Sequence, residues 1–291
     1  MATSAAHVAG GVERVARRRG FLGRLFAKRL SAAGTAVVLL FLLLALVGPL
    51  VAPYAANEQL LLDARQPPSS SHLFGTDHLG RDVFSRVVLG ARDIFLLAGL
   101  GTLVAVALGA LVGLVAGYLG GLYDEITFRL FDSLLAIPAL LFALLLLGSF
   151  GPSRRNVLIV IVLAYVPIVA RVTRSVVLDV KTRDYLAAAR LQGEPLTAIL
   201  FRELLPATLP ALAVESALRF SYAIFLVASL GFLGAGVQPP NPDWGLMINE
   251  ARSFASLTPW VLYFPAAAIS LLVISVNLMA DGLKSALLGD G

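Results

Sequence analysis

Six stretches of about twenty residues carry almost no charge, and they decide what this chain can fold into. The first, 32–51, has hardly a polar side chain and as a helix would cross about 30 Å of hydrocarbon. The others lie at about 94–117, 128–150, 157–172, 209–234 and 259–283. In lipid every backbone N–H and C=O must be satisfied within the protein, so such runs predict an all-α protein with six spans. Residues of the AVILMFWYC set make up 58% of the 291 positions and charged residues only 14%, where about 25% is usual in soluble proteins. That balance excludes a soluble globular or a disordered chain.

The polar segments set the organisation: a basic tail at 1–30, the first span with a turn-rich loop at 31–93, a five-span core at 94–285 containing a polar loop at 176–206, and a short tail at 286–291. Lys and Arg are split unevenly between the two ends of the spans. With the N-terminus inside, fifteen lie on the inner side, seven of them in the tail. Seven lie outside (Arg65, Arg81, Arg86, Arg92, Arg154, Arg155 and Arg252). The split predicts that both termini are cytoplasmic. The formal net charge of +5 is thereby a topology signal and not a nucleic-acid footprint. Arg18-Arg19-Gly20-Phe21-Leu22 has the look of a twin-arginine export signal, but the long apolar run and the apolar chain beyond it argue for a retained span.

Catalytic chemistry finds little support. There is no Cys, which removes disulfides, thiolate metal sites and thiol nucleophiles, and His7, His72 and His78 all fall in polar segments. The stretch 75–86 gathers His, Asp, Ser and Arg. Local crowding in a turn-rich loop is not a positioned nucleophile–base pair, and the His–Asp spacing fits no zinc pattern. A membrane protease is disfavoured by the lack of His in the spans, of a Gly-x-Ser-Gly-like elbow and of an apposed Asp pair. A transporter or channel working alone would distribute polar residues through several spans, whereas only Glu215 and Arg219 sit well inside one. They stand four apart in the favourable order, as a structural ion pair or as part of a solute path. Gly109, Gly113 and Gly117 form a stripe that lets another helix approach, from this chain or from a separate subunit.

The loop at 176–206 is the most informative. Thr182, Arg183 and Asp184 can cap a helix start, Tyr185–Gln192 are mostly good helix formers, and Gly193 suits a helix stop. Pro195 then suits the first turn of a second helix over Leu196–Leu205, closed by Pro206. Ala187, Ala188 and Ala189 give the first helix a small face able to seat in a groove.

These residues carry a resemblance. Ala187-Ala188-Ala189, Gly193 and Leu205-Pro206 match the cytoplasmic loop motif of ABC-importer permeases, with Ala187 in place of Glu and Glu203 in place of Ile. The block from His72 to Arg86, containing Gly75, Thr76, Asp77, Gly80, Arg81 and Asp82, is similar to that ahead of the second span in dipeptide, oligopeptide and nickel permeases. The Leu230–Gly236 block leading to Trp244-Gly245 is similar to that before the last span, and the pattern as a whole resembles the C-type subunit. The resemblance implies a type I ABC-importer transmembrane domain in the bacterial cytoplasmic membrane, surrounded by lipid. Its implied partners are a B-type permease, two ATPase subunits and an extracytoplasmic peptide-binding protein. No Gly-x-x-x-x-Gly-Lys-Ser/Thr occurs, so ATP and Mg would be used by the partner ATPases and no cofactor is expected on this chain. The same resemblance makes Asp184–Pro206 the ATPase-coupling loop. Cargo stays open among dipeptides, oligopeptides and nickel chelates.

Overall fold

The computed structural model describes residue 26 and residues 28–288; the basic tail's first 25 positions lie outside them. Among the described residues there are helices and no strands, only an isolated bridge between Thr76 and Asp82. Five continuous helices are long and apolar enough to cross a membrane: α1 (Arg29–Val51), α2 (Val83–Leu119), α5 (Arg154–Val180), α7 (Leu196–Phe232) and α9 (Pro259–Leu287). The pair α3 (Gly121–Leu135) and α4 (Ala139–Phe150) passes the same test together. Two shorter helices complete the set, α6 (Asp184–Leu191) and α8 (Trp244–Ala251).

Contacts at the helix ends define two faces. Lys28 Nζ donates to Ser285 Oγ at 2.8 Å, and Lys181 Nζ reaches Tyr118 O at 2.8 Å. The start of α1 and the ends of α2, α5 and α9 therefore share one side, here the end face, which also bears α6. On the opposite loop face, Trp244 Nε1 donates to Val87 O (2.9 Å), Trp260 Nε1 to Thr76 O (3.0 Å), and Arg154 pairs with Asp93.

Close packing depends on glycine at one seam. A Cβ on Gly109 would lie 2.7 Å from Val169 Cβ, and one on Gly113 would lie 2.5 Å from Ala170 O. At Gly117 it would meet Val177 Cβ at 3.0 Å. The stripe is thus occupied by α5 of the same chain, and van der Waals contact between the backbones takes the place of side chains.

Three expectations need correction. The third span is not a straight helix with Pro138 inside it: α3 and α4 are bent by 84° across 136–138. The residue before a proline is pushed out of the α region, and Pro138 takes ψ 131° as the cap of α4. Second, Pro206 closes nothing. Helix α7 runs through it and through Pro210, with a wider π turn at Ile199–Leu204 just upstream. A π turn loosens the ladder where the ring would meet the carbonyl four residues back. Third, the side chains of Thr182, Arg183 and Asp184 do not cap α6. Arg183 holds the cap position without a side-chain bond, and the Thr182 hydroxyl donates instead to Asp179 O (2.8 Å). The second and fourth spans also extend beyond the apolar runs, to Val83–Leu119 and Arg154–Val180, because their ends continue as helix into polar loops.

Candidate functional site

On the end face, α6 projects with one anchor. Leu186 is wholly buried among Leu114, Val177, Val180, Ile199, Leu200 and Leu204. These come from the end of α2, the end of α5 and the start of α7, so α6 packs against three spans through one apolar cluster. The rest is outward: Asp184, Tyr185, Ala187 and Ala188 are exposed, Ala189 half-buried, and Leu191 is 90% exposed. Gly193 ends the helix at φ +76°, with Glu194 N–H donating to Ala189 O (3.2 Å) and Gly193 N–H to Arg190 O (3.1 Å). This double closure is a Schellman motif, which needs the left-handed conformation that glycine adopts at least cost. Leu205 and Pro206 lie apart from this element, inside α7. Leu205 packs at the edge of the Leu186 cluster and Pro206 is exposed.

On the loop face a buried polar network replaces the apolar anchor. Asp77 Oδ1 accepts the backbone N–H groups of Leu79 and Arg81, both at 2.9 Å. Its Oδ2 accepts Arg81 Nε (2.5 Å) and Arg86 Nη1 (2.9 Å). Arg81 Nη2 reaches on to Glu250 of α8 at 2.6 Å, and Arg86 approaches the same carboxylate at 3.6 Å. Asp77, Arg81 and Arg86 are all buried. Asp82 caps α2 by accepting Ser85 N–H (2.7 Å) and pairs with His72 Nδ1 at 2.9 Å. Ser85 is wholly buried and its hydroxyl accepts Tyr54 N–H (3.2 Å), while the imidazole of His72 is paired with Asp82. Gly75, at φ +73°, leaves room where a Cβ would meet Trp260 Nε1 at 2.6 Å, and the Thr76 hydroxyl donates to Asp63 O. The cluster is a scaffold that binds the loop, α2, α8 and α9 together.

Asp243 belongs to the same face. It caps α8 by accepting Leu246 N–H (2.8 Å), and its other oxygen is buried without a partner. Desolvation, reinforced by the nearby Asp93 charge, pushes its pKa up to about 7.

Glu215 and Arg219 do meet on α7, with Nε and Oε1 at 2.7 Å. The approach is off-axis, an ion pair rather than an aligned hydrogen bond. Glu215 is buried, and the Arg219 guanidinium lies 4.7 Å from the Tyr222 ring and 5.7 Å from that of Tyr165 on α5.

The model for "Binding-protein-dependent transport system inner membrane component" matches residues 109–288, which hold the α6 element, the Glu215–Arg219 pair and α8. The chain belongs to this family. It is a multi-pass membrane protein built on the type I ABC-importer transmembrane domain, a fold that works in a system with other subunits. Residues 17–68 match the model "N-terminal TM domain of oligopeptide transport permease C". The dipeptide transport system permease protein DppC of Escherichia coli K12 is 43% identical over 263 residues, 88% of either chain. DppC of Alkalihalophilus pseudofirmus is 38% identical over 89% of this chain and 85% of its own. The glutathione transport system permease protein GsiD of Pectobacterium atrosepticum is 39% identical over 92% and 90%.

Sequence reasoning missed Glu250, Asp243 and the Lys181 bridge. Glu250 had no local signal, since its partner Arg81 lies 169 positions away. Asp243 was findable as a cap, because it directly precedes a helical run.

Proposed function

We propose that this chain is the permease subunit through which an ATP-driven importer moves short peptides. Relatives covering almost the whole chain are named for dipeptides, di/tripeptides and glutathione, and that agreement carries the cargo reading. Both chain ends and α6 face the cytoplasm, in line with the Lys and Arg imbalance. The loop face is extracytoplasmic. A second permease completes the path, two ATPase subunits bind ATP and Mg, and a peptide-binding protein delivers cargo outside. This chain holds no nucleotide; it supplies α6, whose exposed Ala187, Ala188 and Leu191 seat in a groove of an ATPase subunit. ATP favours one state of the ATPase pair, and that differential affinity moves α6. The Leu186 cluster passes the displacement to α2, α5 and α7. Glu215, Arg219 and Tyr222 line the path.

The test is ATP hydrolysis by what co-purifies with the tagged chain in mild detergent. Hydrolysis that becomes insensitive to peptide-loaded binding protein in Gly193→Val supports the reading. That substitution strains only the φ +76° backbone, since a Cβ there meets nothing within 4 Å. A folded chain that purifies alone and inactive from several mild detergents overturns it.

A further inference from the structure

Among the described residues, two leucines on the loop face stand largely uncovered. In the 3₁₀ turn Leu61–Asp63, Leu62 is 100% exposed and Leu61 68%. The turn beneath them is firmly held. Asp63 N–H donates to Leu60 O at 2.7 Å, Gln66 Nε2 donates to the Asp63 carboxylate at 2.7 Å, and Arg65 N–H donates to Asp77 O at 2.9 Å. Arg65 accepts a left-handed backbone (φ +63°) while its guanidinium lies 5.1 Å from the Phe254 ring. The Leu60 carbonyl oxygen sits 2.0 Å from where a Cβ on Gly80 would stand, so the turn is pressed onto the loop that contains the Asp77 network.

A fixed turn presenting bare leucines is pre-organised for contact: little freedom is lost when a partner covers them. Hydrocarbon does not suit as the cover. Glu58, Asp63 and Arg65 would have to enter it along with Leu61 and Leu62. A soluble protein with an apolar pocket does suit, and the family to which the chain belongs is defined by dependence on a binding protein. We propose that Leu61 and Leu62 are an anchor on which that binding protein docks. The inference rests on the loop face being extracytoplasmic, as proposed above.

The experiment uses the complete transporter in nanodiscs with its cognate peptide-binding protein, and reads ATP hydrolysis against binding-protein concentration. In Leu61→Ser/Leu62→Ser the half-stimulating concentration should rise by at least about tenfold, since each leucine brings roughly that factor on burial. Basal hydrolysis should not change, and Leu62→Met should behave as wild type. Because both side chains are exposed, the serine variant tests docking and not folding. An unchanged half-stimulating concentration in a stimulated transporter overturns the anchor alone. A wild-type transporter that no binding protein stimulates overturns the functional reading and the anchor with it. A Leu62→Trp transporter whose fluorescence is quenched by brominated lipid without binding protein shows bilayer insertion, and also overturns the anchor.

Discussion

Asp77→Asn isolates what the loop-face network contributes. The substitution keeps shape, so no cavity term enters, and the two N–H groups of Leu79 and Arg81 can still bond to Oδ1. What changes is Oδ2, which now becomes an NH₂ facing Arg81 Nε at 2.5 Å and Arg86 Nη1 at 2.9 Å. Donors then oppose donors, and two buried guanidinium groups are left with Glu250 as their shared carboxylate. Removing one partner of a buried ion pair costs about 3–5 kcal/mol. The fitting control is Glu125→Gln, which breaks an i,i+4 pair with Arg129 whose side chains are 54% and 77% exposed. Exposed pairs of that kind are worth about 0.2–1 kcal/mol. Thermal unfolding of the purified protein in one detergent should show a far larger Tm drop for Asp77→Asn than for Glu125→Gln. Equal drops would refute the claim that this network, and not the apolar packing around it, fixes the loop to α2 and α8.

Two further outcomes follow from the geometry. Glu215→Gln/Arg219→Gln removes both charges together, so it should fold, yet slow peptide transport by at least about tenfold, equivalent to ~1.4 kcal/mol in the barrier; transport at the wild-type rate by the folded variant would leave the pair a purely structural role. Asp243 has its folded pKa raised to about 7 from an ordinary value of 3.8, so between those limits the folded state holds the extra proton and stability falls as pH rises from about 4 to 7. Asp243→Asn keeps the cap on Leu246 and should flatten that decline, which Tm measured across the pH range in parallel with wild type will show; identical slopes would refute it.

Much of the fold was legible because lipid leaves the backbone few options. A run such as 32–51 has to be a helix wherever it crosses hydrocarbon, and α1 occupies Arg29–Val51. The same constraint explains where local rules failed. Pro206 reads as a stop by its missing N–H, but ending a helix there would leave carbonyls unpaired at the membrane. The chain instead continues through it, with the π turn at Ile199–Leu204 taking up the misfit. Pro138 shows the reverse. There the helix does break, after α3, whose side chains are nowhere buried and whose Asp124 and Asp132 pair with Arg174 and Arg171 of α5. A helix held by charge at its surface has less packing to lose on bending than one held by a glycine seam.

The two halves of the candidate site differ in how far their logic extends along the chain, and that decided what could be read. The α6 element is local: Gly193 closes onto Arg190 and Glu194 onto Ala189, a few residues back, so composition and spacing suffice to place it. Its anchor was already less visible, since Leu186 looks like any leucine in an alanine-rich helix until α2, α5 and α7 converge on it. The loop-face network is non-local throughout. Asp77 and Arg81 are neighbours in sequence, but the carboxylate that balances the second arginine comes from Glu250, and the ring that closes over Gly75 comes from Trp260. A charge run such as Asp77–Arg86 reads as solvated until tertiary contacts remove the water. Once they do, each member must find a partner or be neutralised, and that demand ties the loop to α8 more tightly than any pattern within it could reveal.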